Sequence, residues 1–381
     1  MTRTIRIIEI DNDNSRQVNQ FINLPYRLYK DTPQWVPPLV SDIRRMLNRN
    51  NHPFYKHSEA AFYLALDHSD KPVGRLAVSE NRNYNEFNKS QSAFFFLFEC
   101  EKNIATAQDL FSSASRWAQA RGLIEIIGPK GFSALDGLGL LVEGFDHRPA
   151  LGIAYNPPYY SELLETIGFK PQGDLLSGYL SRANYNFPEK IHQVADLVKE
   201  RRGLQVKRFT SRRDLRAVIP KLKELYNASI EGTPGNVPLT DEEVKTLANQ
   251  LLWFADPKLI KIITKDDQPV GFLFAYPDIS AALQRTGGRF LPFGWLDMLS
   301  ELRKTKWVNI NGAGIIEKYR GLGGTAILFS EMFKTLQESR FEHGDIVQIG
   351  VENQRMLLEL RDLGINFYKK HRIYRRQLES I

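Results

Sequence analysis

The chain of 381 residues repeats one pattern in its two halves, and this repeat limits its fold more than any other feature. The segments Lys71-Pro72-Val73-Gly74 and Gln268-Pro269-Val270-Gly271 lie 197 residues apart, and each joins two apolar, strand-like runs. The segments Leu164–Phe169 and Leu360–Ile365 lie 196 residues apart, and each has the form of a helix that ends at a glycine. Since both pairs keep one order and nearly one offset, the sequence predicts two copies of one structural unit.

Each half contains the same predicted succession of elements, β-α-β-β-β-α-β-α-β. This succession predicts an α/β fold of the α+β type, in which a mixed sheet carries helices on its faces. The boundary is expected near Arg201-Arg202-Gly203, which divides the chain into 1–203 and 204–381. A third pair of similar segments lies farther apart in the sequence than the first two pairs. This difference predicts insertions at about residues 130–152 in the first half and 279–306 in the second.

The composition excludes several classes of protein. A single cysteine, Cys100, can form neither an internal disulfide nor a thiolate zinc site, and no metal site is expected. The N-terminal segment lacks the apolar stretch of a signal peptide, and the densest apolar run, Ala93–Phe98, is too short to span a bilayer. The net charge of +7 fits an anionic ligand such as a nucleotide cofactor, and nucleic-acid binding is not expected. The sequence therefore predicts a cytoplasmic protein without a membrane span.

A glycine-rich turn, Tyr319–Thr325, follows a predicted strand and opens an apolar helix. The first amides of a helix have no partners inside the helix, and the helix dipole is positive there, so such a turn can bind phosphate. A plain tight turn is the alternative interpretation. A P-loop is disfavoured because no Lys-Ser or Lys-Thr follows the last glycine, and a dinucleotide fold is disfavoured because a hairpin precedes the turn.

The segment Arg320-Gly321-Leu322-Gly323-Gly324-Thr325 resembles the acyl-CoA signature of the GNAT superfamily of N-acyltransferases. That signature has Arg or Gln, two residues, Gly, one residue and then Gly or Ala, and Thr325 takes the last small position. The resemblance implies two tandem GNAT-like domains that use acetyl-CoA or another acyl-CoA, with a coenzyme loop only in the second. It implies that the loop holds the pyrophosphate and that the preceding strand lies beside pantetheine. The implied cofactor-binding residues are Ala313, Gly314, Ile315, Ile316, Arg320, Gly321, Leu322, Gly323, Gly324, Thr325 and Asn353.

The whole chain also resembles a bacterial family of tandem GNAT-like proteins. The segments that carry this likeness are His52–Tyr55, Asn81–Asn85, Tyr155–Tyr160, Gly288–Gly294 and Arg372–Tyr374.

The residues of catalysis are less clear from the sequence. Many GNAT enzymes have a tyrosine acid four residues before the glycine that ends the last helix, but Leu164 and Leu360 stand there in the two halves. Tyr368 could replace this acid from the next strand, although a tyrosine in a sheet is more often a packing residue. Asn311 is polar on an otherwise apolar strand and could face the substrate.

The first half is predicted to be a degenerate partner, because Glu99-Cys100-Glu101 places carboxylates where a pyrophosphate would bind. Its polar and aromatic residues could instead line a substrate cleft, or Tyr155–Tyr160 could be a proline-stiffened turn that packs on the sheet. The candidate substrate-binding residues are Asn81, Asn83, Glu99, Asn156 and Tyr160.

The resulting hypothesis is an N-acyltransferase that moves an acyl group, acetyl by preference, from acyl-CoA to a small-molecule or peptide amine. Two alternatives stay open: an inactive GNAT-fold binding protein, and a transferase that uses another activated acyl donor. The apolar segment Phe290–Leu299 could cover an acyl chain, a membrane surface or the domain interface, and interface packing is the favoured interpretation.

Overall fold

The computed structural model describes residues 5–133, 136–183, 187–230 and 236–379. Within them, thirteen strands form one continuous mixed sheet. The strands are β1 (Arg6–Glu9), β2 (Glu59–Leu66), β3 (Pro72–Glu80), β4 (Ser92–Cys100), β5 (Glu125–Gly128), β6 (Leu140–Glu143), β7 (Lys170–Ser181), β8 (Leu204–Lys207), β9 (Ile260–Lys265), β10 (Gln268–Pro277), β11 (Trp307–Ile315), β12 (His343–Gly350) and β13 (Asn366–Gln377).

Helices cover both faces of this sheet. They are α1 (Ser15–Leu28), α2 (Val40–Leu47), α3 (Arg82–Asn88), α4 (Ile104–Gln119), α5 (Tyr159–Thr166), α6 (Glu189–Arg202), α7 (Arg212–Ser229), α8 (Asp241–Leu252), α9 (Ser280–Thr286), α10 (Gly294–Lys304), α11 (Gly324–Gln337) and α12 (Gln354–Asp362). The predicted α/β fold is therefore confirmed.

The predicted repeat is present in the structure. The hairpin β2–β3 has its counterpart in β9–β10, and both are antiparallel. The helix α4 joins the parallel strands β4 and β5, just as α11 joins β11 and β12. Both insertions also lie where they were predicted: α9 and α10 fall within residues 279–306, and β6 falls within 130–152.

The two halves exchange their last strands. The strand β13 of the second half pairs with β5 of the first, and Tyr374 lies opposite Gly128. The strand β7 of the first half pairs with β12 of the second, and Ile346 lies opposite Gly178. The two exchanged strands pair with each other and close the gap between the halves. The predicted boundary at residue 203 therefore divides the chain into two halves, but the sheet is continuous across them.

The exchange also connects the cores. Tyr374 of β13 is fully buried among first-half residues such as Leu164 and Tyr160. The second half has its own core around Leu328 and Ile346. Burying one such large side chain contributes about 1.5–3 kcal/mol, so removing the exchanged strand would expose apolar surface in the first half.

Local signals in the sequence place several helix ends. A capping box is present at the start of α8: the Thr240 amide donates to the Glu243 carboxylate at 2.9 Å, and the Glu243 amide donates to the Thr240 hydroxyl at 3.3 Å. The helix α6 ends at Gly203, whose φ of +63° suits glycine. Gly203 therefore ends the helix that leads from the first half to the second.

Candidate active site

The strands β11 and β12 separate in the second half. They pair only from Trp307 to Ile310, while the rest of β11, Asn311–Ile315, keeps β10 as its neighbour. A bulge in the pairing with β10 accompanies this separation, and Gly312 and Ala313 are exposed there. One edge of β11 is therefore open to an extended ligand.

The helix α11 begins beside this opening. Its N-cap is Gly323, with φ of +86°, and no side chain caps its first amides. Gly321 also has a positive φ of +78°. Because the first turn contains no acidic residue, nothing on it opposes the positive end of the helix dipole. This helix start has the chemistry of an anion site.

Arg355 adds a positive charge to the same turn. A Cβ placed on Gly321 would lie 3.1 Å from a nitrogen of the Arg355 guanidinium. The side chain of Arg355 is 63% exposed, and its Nε donates to Glu359 at 3.1 Å. Sequence reasoning missed this residue, although it stands only two positions after the predicted Asn353.

The predicted loop residues have different roles in the structure. The guanidinium of Arg320 donates to the carbonyls of Ile315, at 3.1 Å, and Ser229, at 2.7 Å, so it holds the turn against its neighbours. Asn353 caps α12 by accepting the Met356 amide at 3.2 Å.

Gly324 packs tightly, because a Cβ there would lie 2.9 Å from Ile315. The structure brings together in one region the predicted residues Ala313, Gly314, Ile315, Ile316, Arg320, Gly321, Leu322, Gly323, Gly324 and Thr325.

The corresponding helix start in the first half is closed. The side chain of Asn103 caps α4 by accepting the Thr106 amide at 3.0 Å. Glu99 and Glu101 precede this cap, and burial beside them raises the pKa of the Cys100 thiol to about 12. An anion at this helix start would find that the Thr106 amide already donates to Asn103, and the nearby carboxylates would repel it.

A large cavity lies between the halves. Its volume is about 350 Å³, and most of its lining side chains are apolar or aromatic. It begins where β4 leaves β5, between Phe98 and Phe132, and it extends to Tyr276 on β10. The cavity therefore joins the opening in the first-half sheet to the second half.

A buried carboxylate lies in the wall of this cavity. The hydroxyls of Tyr29 and Tyr160 donate to Glu99 Oε2 at 2.7 and 2.8 Å, and Arg75 lies 3.6 Å from Oε1. Burial raises the pKa of Glu99, while Arg75 and the two tyrosines oppose that rise. Because Tyr160 also accepts the Cys100 amide at 2.9 Å, this cluster is rigid.

Of the other predicted first-half residues, one lines the cavity and two do not. Asn156 lines the cavity and bonds both backbone groups of Leu141, at 2.7 and 3.1 Å, as a strand would. Asn81 lies elsewhere and caps α3 by accepting the Tyr84 amide at 3.0 Å. Asn83, in the first turn of α3, is likewise absent from the lining of the cavity.

The two predicted catalytic residues have different hydrogen-bond partners. Tyr368 donates to Asp345 at 2.8 Å, and burial next to that carboxylate raises the pKa of its hydroxyl far above the usual range. Asn311 donates to the hydroxyl of Tyr276 at 2.9 Å. Since Tyr276 lines the cavity, Asn311 stands between the cavity and the open edge of β11. Its partner could not be found from sequence, because 35 positions separate the two residues.

Among the described residues, no cluster of three or more His, Cys, Asp and Glu side chains could hold a metal ion. In the same parts of the chain, every helix is too short or too polar to cross a membrane.

Solved structures with a similar fold are known. A tandem GNAT protein from the clavulanic acid biosynthesis pathway matches with a TM-score of 0.57 and 9% identity, over 99% of both chains. A GCN5-related N-acetyltransferase from Sphaerobacter thermophilus matches with a TM-score of 0.52 and 13% identity, over 98% of this chain and 96% of that one. The chain has the tandem GNAT fold.

Two proteins are similar to this GNAT-fold chain in sequence. Protein YghO of Escherichia coli K12 is 25% identical over 374 residues, which cover 96% of this chain and 94% of that protein. A bacterial ceramide synthase of Caulobacter vibrioides is 26% identical over 372 residues, 95% of each chain. No protein-family model matches the sequence.

Proposed function

We propose that this protein is an N-acyltransferase that moves an acyl group from acyl-CoA to an amine. The observation that carries the proposal is the uncapped start of α11, which lies beside the open edge of β11 and next to Arg355. The diphosphate of coenzyme A would bind the free amides, and its pantetheine would extend along β11. This assignment places the thioester near Asn311, where the two strands separate.

The reaction is attack of a neutral amine on the thioester carbonyl. The C–N bond forms and the C–S bond breaks, the amine nitrogen loses one proton and the leaving thiolate takes up one, so the products are an amide and the free thiol of coenzyme A. Burial keeps the pKa of Tyr276 above its usual range, so its hydroxyl is a proton-bearing donor at neutral pH. The hydroxyl donates to the Leu151 carbonyl at 3.3 Å, and we assign to Tyr276 the donation of this hydrogen bond to the reacting thioester instead, with Asn311 as the residue that positions it.

The cavity supports an acceptor amine with a long apolar chain. Its volume of about 350 Å³ is far larger than an acetyl group or a small polar amine needs. A relative named a bacterial ceramide synthase agrees with this choice, because a ceramide is the amide of a long-chain amine.

Filling the cavity tests this choice of acceptor. Thr246 on α8 lines the cavity, whereas Asn249 on the same helix is exposed. In an assay of thiol release, Thr246→Trp should raise KM for a long-chain amine by about tenfold, the equivalent of about two buried methylene groups. A short water-soluble amine should react as before, and Asn249→Trp should match the unaltered protein.

Titration calorimetry tests the donor separately. Acetyl-CoA and a long-chain acyl-CoA should both bind. Their affinities should be similar, because in this proposal the cavity holds the acceptor and not the acyl chain. Absence of binding by any acyl-CoA would overturn the proposal in favour of an inactive binding protein or a different acyl donor.

A further inference from the structure

An exposed apolar patch projects from the second-half insertion. We call Phe290, Leu291, Phe293, Trp295, Leu296 and Leu299 the insertion patch. They are six of the eleven large apolar side chains that the described residues leave strongly exposed. Leu291 is 73% exposed and Phe293 is 72% exposed. Such a concentration within ten residues marks an interaction surface.

The patch is held rigidly in this exposed position. Met298 on the inner side of α10 is fully buried against α9, which directs Leu296 and Leu299 outwards. The turn before α10 is tied to the first half, because the Val40 amide donates to the Gly288 carbonyl at 3.0 Å. Interface packing, the interpretation favoured from sequence, accounts for Met298 but not for the insertion patch.

The surroundings of the patch are positively charged. Residues 285–306 contain five basic and two acidic residues, which gives a net charge of +3. Both acidic residues, Asp297 and Glu301, pair with Arg285. Arg303 and Lys304 at the end of α10 are exposed, and no ion pair with either is present among the described residues.

Aromatic residues connect the patch with the candidate active site. The ring of Phe290 lies 6.3 Å from that of Trp253, and Trp253 contacts Phe254 at 5.2 Å. Phe254 in turn lies 5.5 Å from Tyr276, the residue that bonds Asn311. Trp253, Phe254 and Tyr276 all line the cavity. One apolar wall therefore extends from the exposed insertion to the proposed point of reaction.

We propose that the insertion patch docks on the surface of an anionic lipid bilayer, so that a lipid amine enters the cavity without crossing water. Leucine and aromatic side chains next to free basic residues are the composition of a segment that lies in the membrane interface. The docking itself follows from the patch and its charge. The delivery of a substrate rests on the proposed function.

A second copy of the chain is a less suitable occupant. In a twofold contact the patch would meet itself, and the basic residues around it would come together. An anionic lipid surface instead provides the opposite charge. A patch shared between copies is nevertheless an outcome that the experiment can reveal.

Vesicle flotation tests the docking without any turnover. The unaltered protein should float with vesicles of phosphatidylcholine mixed with phosphatidylglycerol, and more weakly with phosphatidylcholine alone. The double variant Leu291→Glu, Phe293→Glu should lose at least about tenfold in binding, because both side chains leave water only in the bound state. Leu358→Glu is the matched control, since Leu358 is 55% exposed on the distant α12.

A charge variant separates the two contributions to binding. Arg303→Glu, Lys304→Glu should weaken binding to the anionic vesicles about tenfold and leave binding to phosphatidylcholine unchanged. Melting temperatures should match the unaltered protein, because every changed side chain is exposed.

Three results would overturn the proposal. The protein could fail to float, the patch variant could float as well as the Leu358 control, or the patch variant could convert a dimer into a monomer in light scattering. Thiol release with a water-soluble amine keeps the two proposals apart: the patch variant should retain it, whereas an inactive enzyme would lack it in every variant.

Discussion

The helices α4 and α11 occupy equivalent places in the two halves, but their first turns differ. Asn103 closes the start of α4 with its own side chain, and carboxylates precede it. Gly323 leaves the start of α11 uncapped, and Arg355 lies beside the turn. The cavity, by contrast, begins in the first half. The two halves therefore offer different surfaces, an open helix start in the second and the beginning of the cavity in the first, and the proposed function uses the former for the coenzyme and the latter for the acceptor.

The largest effect should follow from a negative charge at the open helix start. Thr325→Asp places a carboxylate in the first turn of α11, where it stabilises the helix dipole but repels a diphosphate. Two charges about 4 Å apart near a protein surface repel by about 4 kcal/mol, close to a thousandfold in affinity. Calorimetry with acetyl-CoA at low salt measures this loss. The matched control is Ala105→Asp in the first turn of α4, which should leave the affinity unchanged.

The exchanged strand predicts an acid-sensitive fold. Burial lowers the pKa of His371 on β13 from 6.5 to about 4, so the unfolded state binds more protons between these values. Stability should therefore fall as the pH falls from about 6.5 to 4, by up to about 3 kcal/mol from this residue. In urea titrations, His371→Asn should flatten this slope.

If the halves are interlocked, fluorescence and circular dichroism should report one transition, whereas two transitions would contradict the shared sheet.

A smaller effect is expected from the guanidinium beside the loop. Arg355→Glu should weaken acetyl-CoA binding by about tenfold, and the difference should shrink as salt is added, because Arg355 is largely exposed. Arg361→Glu makes the same charge change on the same helix and is the control. Equal losses in the two variants would mean that only net charge matters.

The smallest effect tests the closed half. Asn103→Ala removes the cap of α4 and should cost about 1 kcal/mol of stability, measured by chemical denaturation. It should not create a second coenzyme site, because Glu99 and Glu101 remain. A stoichiometry of two acetyl-CoA per chain in this variant would show that the cap alone distinguishes the halves.

The sequence predicted those parts of the molecule that depend on local patterns. The repeat, both insertions and the end of α12 before Gly364 were all predicted, because periodicity and glycine positions determine them. The cap of α4 was missed, although an Asn before a helix is a local signal. The exchange of β7 and β13 was not predictable, since either strand has an alternation that suits either neighbour. Arg355 and Tyr276 depend on contacts between distant segments.

The position of β13 has a consequence for how this protein is made. It leaves the ribosome after the other twelve strands, yet it is the strand that pairs with β5 in the first half. The first half consequently cannot complete its sheet before β13 is made, and the edges of β5 and β7 that pair with β13 stay unpaired until then. Unpaired edges attract other chains, so slow elongation or premature termination would favour aggregation over folding.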